Sequence, residues 1–198
     1  MTATPGHGII AAILAAAGGS YGQGCNVLQQ IHELLGIPAD YGLTCGMPRQ
    51  PECVELVDVG NDAFGRPARL QAATATAWQR LQVAALTDGV ELQLVSAFRS
   101  VDYQRQLIQR KLERGIGIES ILQVNAAPGF SEHHSGRALD IGCPGYAHLE
   151  EEFEQSPAFA WLQRRGGEFG FRMSFPRNNS FGVLYEPWHW YYEGVARN

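Results

Sequence analysis

Apolar positions recur along this chain with two spacings, helical in its first half and alternating in its second. Val27, Ile31 and Leu34/Leu35 recur at helical spacing before Gly36, with Asn26 as a candidate cap, which predicts a helix over 26–35. Residues 37–66 carry Pro, Gly and Cys with little periodicity and read as irregular. Over 68–87 a longer helix is predicted, with Leu70, Ala73, Ala77, Leu81 and Ala84 on one face, Trp78 as core and Gly89 beyond its end. Val90 to Leu94 then alternates apolar and polar and continues to Phe98, a half-buried strand stopped by Arg99-Ser100. Ser100 is placed to cap a helix through Arg114, with Gly115 as its stop. Gly136 to Gly142 reads as a short strand, and Ser156-Pro157 as the cap and first turn of a helix that Gly166-Gly167 ends. Two aromatic-rich strands follow, around 170–175 and 183–192. Helices early and strands late predict an α+β class, a mainly antiparallel sheet with helices packed around it. Without repeats or a low-complexity linker, the expected organisation is an N-terminal extension over 1–66 and one chemistry-bearing domain over 67–198.

Composition narrows the partners. A chain of 198 residues, 45% hydrophobic and 18% charged, is long and apolar enough to bury a substantial core. A net charge of −5 gives no basic face, so nucleic acid is not an expected partner, although a local cationic pocket for a small anion remains open. The four cysteines at 25, 45, 53 and 143 contain no C-x-x-C pair, which argues against a structural zinc knuckle. Cys45 and Cys53 could close a short loop in an oxidising compartment, or all four could be unlinked thiols. The run from Gly8 to Ala17 resembles a signal-peptide core, yet no Lys or Arg occurs before Arg49. That run is too short for a stable membrane span, and the missing charged segment tilts the expected location to the cytoplasm, with the periplasm or cell envelope as the other choice.

Two segments carry candidate chemistry. One is Ser131-Glu132-His133-His134-Ser135-Gly136-Arg137-Ala138-Leu139-Asp140, and the other is Glu186-Pro187-Trp188-His189-Trp190-Tyr191. Neutral imidazoles and a carboxylate are good zinc ligands, and three protein ligands leave a fourth position open, as in catalytic sites. Water at such a site has its pKa lowered to about 7. Glu186 lies near His189 in sequence and is placed to take that water's proton and hand it to a leaving amine. Gly136 allows a positive φ or a close backbone approach, and Ala138 leaves room beside Asp140 on one strand face. His134 is the rival ligand to His133 and could instead point to solvent. Glu132, Arg137 and the run Glu150-Glu151-Glu152 read as surface charge, and His7, His32 and His148 as structural or exposed. Cys143 does not fit as a ligand. Trp188 and Trp190 alternate with His189 and Tyr191, so Tyr191 could line the site. A serine triad of Ser131, His133 and Asp140 lacks a nucleophile elbow and places its members too close in sequence to converge.

These segments resemble the S-x-H-x-x-G-x-A-x-D and E-x-W-H motifs of the D-Ala-D-Ala zinc metallopeptidases, the vancomycin-resistance type D,D-carboxypeptidases. Their fold group also holds lysostaphin-type peptidases and the hedgehog signalling domain. Ser131, His133, Gly136, Ala138, Asp140, Glu186, Trp188 and His189 meet every fixed position. Ser96-Ala97-Phe98-Arg99-Ser100 with Gln104 is similar to the family's S-x-[YF]-R-S-x-x-x-Q segment, and the resemblance covers about residues 68–193. It implies one catalytic Zn2+ on His133, Asp140 and His189, with Glu186 as base. It implies Arg99 at the substrate's terminal carboxylate or the developing oxyanion, assisted by Ser131 and Gln104. The implied substrate is a peptidoglycan stem peptide or muropeptide ending in D-Ala. Related cuts (L,D-carboxypeptidase, D,D-dipeptidase, wall endopeptidase) and a non-catalytic zinc-stabilised binding module are the alternatives.

Overall fold

A computed structural model describes residues 21–194, with side chains from residue 27 onward. The signal-like run at 8–17, His7 and the Cys25 side chain lie outside the described residues. Helix α1 spans Tyr21–Leu35 and ends at Gly36, whose φ of +69° reverses the chain. The helix starts earlier than the pattern predicts, so Asn26 falls inside it. A short turn, α2 (Tyr41–Thr44), follows.

The stretch read as irregular contains a strand. β1 (Leu56–Asn61) pairs antiparallel with β2 (Pro67–Gln71), and this hairpin straddles position 66/67. Ala68 and Leu70 point inward while Pro67 and Arg69 point out, a period of two. Leu70 fits both that alternation and the helical spacing that continues after it, and pairing with β1 decides in favour of strand. Helix α3 therefore begins only at Ala72 and runs to Thr87.

The main sheet is four-stranded, and all its pairings are antiparallel. Its strands are β3 (Gln93–Ser96), β4 (Ala138–Gly142), β5 (Phe171–Met173) and β6 (His189–Tyr192), in spatial order β3-β4-β6-β5. The expected long C-terminal strand is only His189–Tyr192; residues 183–188 form a non-strand approach to it. Helices α4 (Val101–Glu113) and α6 (Pro157–Arg165) begin as predicted, because the hydroxyls of Ser100 and Ser156 accept from the amides of Tyr103 and Phe159, both at 3.0 Å. A further short helix, α5, spans Ile118–Leu122.

Strand β4 is buried on both faces. One face gives Leu139 and Ile141 to a core with Leu94, Trp190, Trp78, Leu81, Trp161 and Leu162. Each such side chain, fully buried, contributes roughly 1.5–3 kcal/mol. The other face carries Ala138 and Asp140. Removing the core-facing residues from water thus fixes the register that sets Asp140 on the opposite side. A second core joins Leu35, Ile37 and Tyr41 to Ile108, Phe130 and Phe175. It holds the N-terminal helix against α4 and the loops before β4 and β6.

Between those loops and β2, Gly136 sits at φ +65° and a Cβ there would lie 2.9 Å from the amide nitrogen of Gln71. That amide donates to the Gly136 carbonyl at 3.0 Å, so the neighbouring backbone has no freedom to withdraw. Gly136→Ala is expected to destabilise the protein by about 2 kcal/mol or more, from left-handed strain plus the clash. A chemical denaturation midpoint equal to that of the unaltered chain would refute this account.

Candidate active site

The sheet register assembles the site. Asp140 stands opposite His189 on one side and opposite Ser96 on the other, so three neighbouring strands place these residues in one row. Before β4, a single turn of 3-10 helix over Glu132–Ser135 carries His133 into the same space. That turn is laced to the end of β3, with the Arg99 amide donating to the His133 carbonyl at 3.2 Å.

His133, Asp140 and His189 are 1–3% exposed and can each offer one ligand atom, all within 4.8 Å of one another. The Nδ1 of His133 lies 2.6 Å from the Ala97 carbonyl and so carries the proton, leaving Nε2 with its lone pair turned inward. Burial, then the neighbouring Arg99 charge, depresses the pKa of this histidine to about 4, so it is neutral. Burial would raise the pKa of Asp140, but the Arg99 charge and the hydrogen bond with His189 outweigh it and hold the carboxyl well below its usual range. The Nδ1 of His189 lies 3.1 Å from Asp140. Burial opposes its charging, yet hydrogen bonds to Asp140 and Glu132 push its pKa up to about 10.

The donor set of two imidazoles and an ionised carboxylate suits a divalent metal. A cation already tests the fit: Nη2 of Arg99 lies 2.7 Å from both Nε2 of His133 and Oδ2 of Asp140. Its Nε donates to Ser96 at 3.1 Å.

This row lines a cleft of about 600 Å³ together with Arg99, Gln104, Lys111, Glu186 and Trp188. Glu186 lies 3.8 Å from Nδ1 of His189, with its side chain 13% exposed. Burial raises its pKa to about 7, with His189 and Arg99 pulling downward and Asp140 and Glu132 upward. A carboxylate so tuned accepts a proton readily near neutral pH. Ser131 lines the cleft and is buried. Gln104 donates from Nε2 to the Ala126 carbonyl at 2.9 Å, and its Oε1 is buried with no partner among the described residues. That orphan is an acceptor, so in this orientation it suits a substrate N–H better than a carboxylate.

Several residues differ from the sequence-based expectation. His134 is buried rather than turned to solvent, with Nδ1 2.7 Å from the Arg99 carbonyl and Nε2 accepting from the Gly129 amide at 3.1 Å. Both nitrogens are used in bracing the loops. Glu132 is not surface charge, since its carboxylate meets Nε2 of His189 at 2.9 Å. Tyr191 does not line the cleft; its ring is flanked by Arg137 and Arg172, 5.1 and 5.2 Å from its centroid. Trp188 lines the cleft instead, because the chain before β6 is not yet in strand alternation. The acidic run is partly drawn in as well, with Glu150 and Glu151 on the cleft rim. Cys45, Cys53 and Cys143 are all free thiols.

With this geometry in place, comparison with known proteins gives the family. The VanY family profile, described as D-alanyl-D-alanine carboxypeptidase, matches residues 67–195. The chain belongs to this family. It is 28% identical to the Bacillus subtilis (strain 168) protein YodJ over 85% of its own length, and it spans 60% of YodJ's length. The solved LdcB LD-carboxypeptidase superposes with a TM-score of 0.66 at 30% identity, covering 74% of this chain and 72% of that one. The vancomycin-resistance D,D-pentapeptidase VanY from a VanB-type cassette, solved as a point mutant with Zn(II), gives 0.59 at 26% identity, covering 77% of this chain and 89% of that one. The family's mixed helix and antiparallel-sheet fold is thus the fold of this protein.

Proposed function

We propose that this protein is a zinc-dependent carboxypeptidase that removes the C-terminal D-Ala from peptidoglycan stem peptides or muropeptides. The observation that carries this is the convergence of two buried imidazoles and an ionised carboxylate in a cleft that Glu186 and Arg99 also line. His133 through Nε2, Asp140 and His189 through Nδ1 would hold the ion. Zinc in such a site supplies Lewis acidity, polarising a carbonyl and lowering the pKa of water to about 7.

The remaining chemistry belongs to the chain. Glu186 takes the proton from the attacking water on its carboxylate and delivers it to the departing amine of D-Ala. Arg99 lines the same cleft and would pair with the substrate's terminal carboxylate through two parallel N–H donors. The Oε1 of Gln104 accepts from a substrate N–H. Ser131 adds a hydroxyl to the same lining, and Trp188 adds apolar surface.

A second reading, cleavage after an L-centre, is supported by the superposition on the LD-carboxypeptidase. Mass spectrometry of products from a stem pentapeptide, a stem tetrapeptide, free D-Ala-D-Ala and intact sacculi separates these readings. Loss of one D-Ala from the pentapeptide alone is the expected result. Cleavage of the tetrapeptide alone would replace it with the L,D reading. Soluble fragments released from sacculi would point to an endopeptidase, and no hydrolysis at full zinc loading would point to a binding module.

A further inference from the structure

We infer that Glu132 is a positioning residue for His189, accepting its Nε2–H so that Nδ1 is the nitrogen presented to Asp140 and to a bound metal. This rests on the reading of His133, Asp140 and His189 as a metal centre.

The two histidines of that centre are held in opposite senses. His133 gives its Nδ1 proton to the Ala97 carbonyl at 2.6 Å and turns Nε2 inward. His189 lies 2.9 Å from Glu132 through Nε2 and 3.1 Å from Asp140 through Nδ1. The partner on the far side of an imidazole sets which nitrogen carries the proton and which is left for a metal. For His133 the partner is a backbone carbonyl, whereas for His189 it is the Glu132 carboxylate. A full negative charge there also makes the imidazole a more electron-rich donor than a carbonyl does.

Glu132 is built to serve as that fixed acceptor. Its side chain is 12% exposed, and Oε2 receives the Ser174 hydroxyl at 2.5 Å as well as His189. Oε1 faces Arg172 at 3.6 Å, and Arg172 also donates to Ser174 at 3.1 Å and to Glu193 at 2.5 Å. The carboxylate is therefore oriented from behind by β5 and the residue after it, independently of His189. Its place in the 3-10 turn beside His133 ties both histidines to one rigid turn.

The test uses zinc affinity, measured by chelator competition, and the tautomer of His189 in the zinc-loaded protein, read from long-range proton–nitrogen NMR correlations. In the unaltered protein His189 should carry its proton on Nε2. Glu132→Leu should weaken zinc binding about 10–100-fold. Glu132→Gln, whose amide oxygen can still accept from Nε2, should restore most of that loss, which a merely charge-balancing role would not predict. Zinc affinity unchanged in Glu132→Leu, beside a loss in His189→Ala, overturns the inference and leaves the metal centre standing. Unchanged affinity in His189→Ala removes the metal centre and the inference together. A proton found on Nδ1 of zinc-loaded His189 overturns the inference in the unaltered protein, so the question is decided even where Leu at 132 does not fold.

Discussion

Glu186→Ala is expected to lower kcat/KM on a D-Ala-terminated peptide by about 10²–10⁴-fold while the protein keeps its full complement of zinc. The two halves of that result have separate causes. Metal retention is expected because the carboxylate of Glu186 is not one of the three groups that gather within 4.8 Å of one another. The rate loss follows because neither Asp140 nor His133, which line the same cleft, can take over the proton transfer. Asp140 is held well below the usual carboxylate range, which makes it a poor base, and His133 is committed through both nitrogens. Glu186 combines access to the cleft with a pKa raised to about 7, the consequence of burial beside other acids. Losing a general base of this kind costs roughly 3–5 kcal/mol of transition-state stabilisation. Single-turnover rates together with metal content by atomic spectrometry check both halves, and near-normal turnover at one zinc per chain would rule out this assignment.

Replacing Arg99 by Met should collapse the preference for a free C-terminal carboxylate. The unaltered enzyme is expected to favour a peptide ending in free D-Ala over its C-terminal amide by about 10²-fold or more, from two charge-assisted hydrogen bonds. In the Met variant that ratio should fall close to one. The ratio is the informative quantity. Arg99 also touches His133 and Asp140, and its removal can alter zinc affinity, but both peptides meet the same zinc-loaded enzyme. Arg99→Lys retains charge without the planar fork and should lie between the two. An unchanged ratio in the Met variant would place carboxylate recognition elsewhere in the cleft, with the half-buried Lys111 another cation among its lining residues.

Much of the site was legible before folding was considered. Two short segments with ligand-type residues and a third ending in Arg99 point to one chemistry, and the structure gathers all three around one cleft. The N-caps at Ser100 and Ser156 were legible because a cap is local, one hydroxyl meeting an amide three residues on. Glu132 was not. It lies in a single 3-10 turn, where no periodicity says which way a side chain points, and the same carboxylate would be solvated if the turn rotated. The available signal was its place directly beside a candidate ligand histidine, but a charged residue in a polar loop is more often exposed. The β1–β2 hairpin was missed for a related reason: Leu70 satisfies both periods, and only a partner strand distinguishes them.

The sequence alone determined the kinds of groups available, the two helix starts that the Ser100 and Ser156 caps fix locally, and the residues that resemble a zinc peptidase. Tertiary structure decided which partner each histidine nitrogen meets, that the pKa of Glu186 is raised while that of Asp140 is depressed, and that Glu132 meets His189. Those are properties of surroundings. A carboxylate's pKa and an imidazole's tautomer are set by burial and by partners tens of residues away, here by the register that sets Asp140 opposite His189.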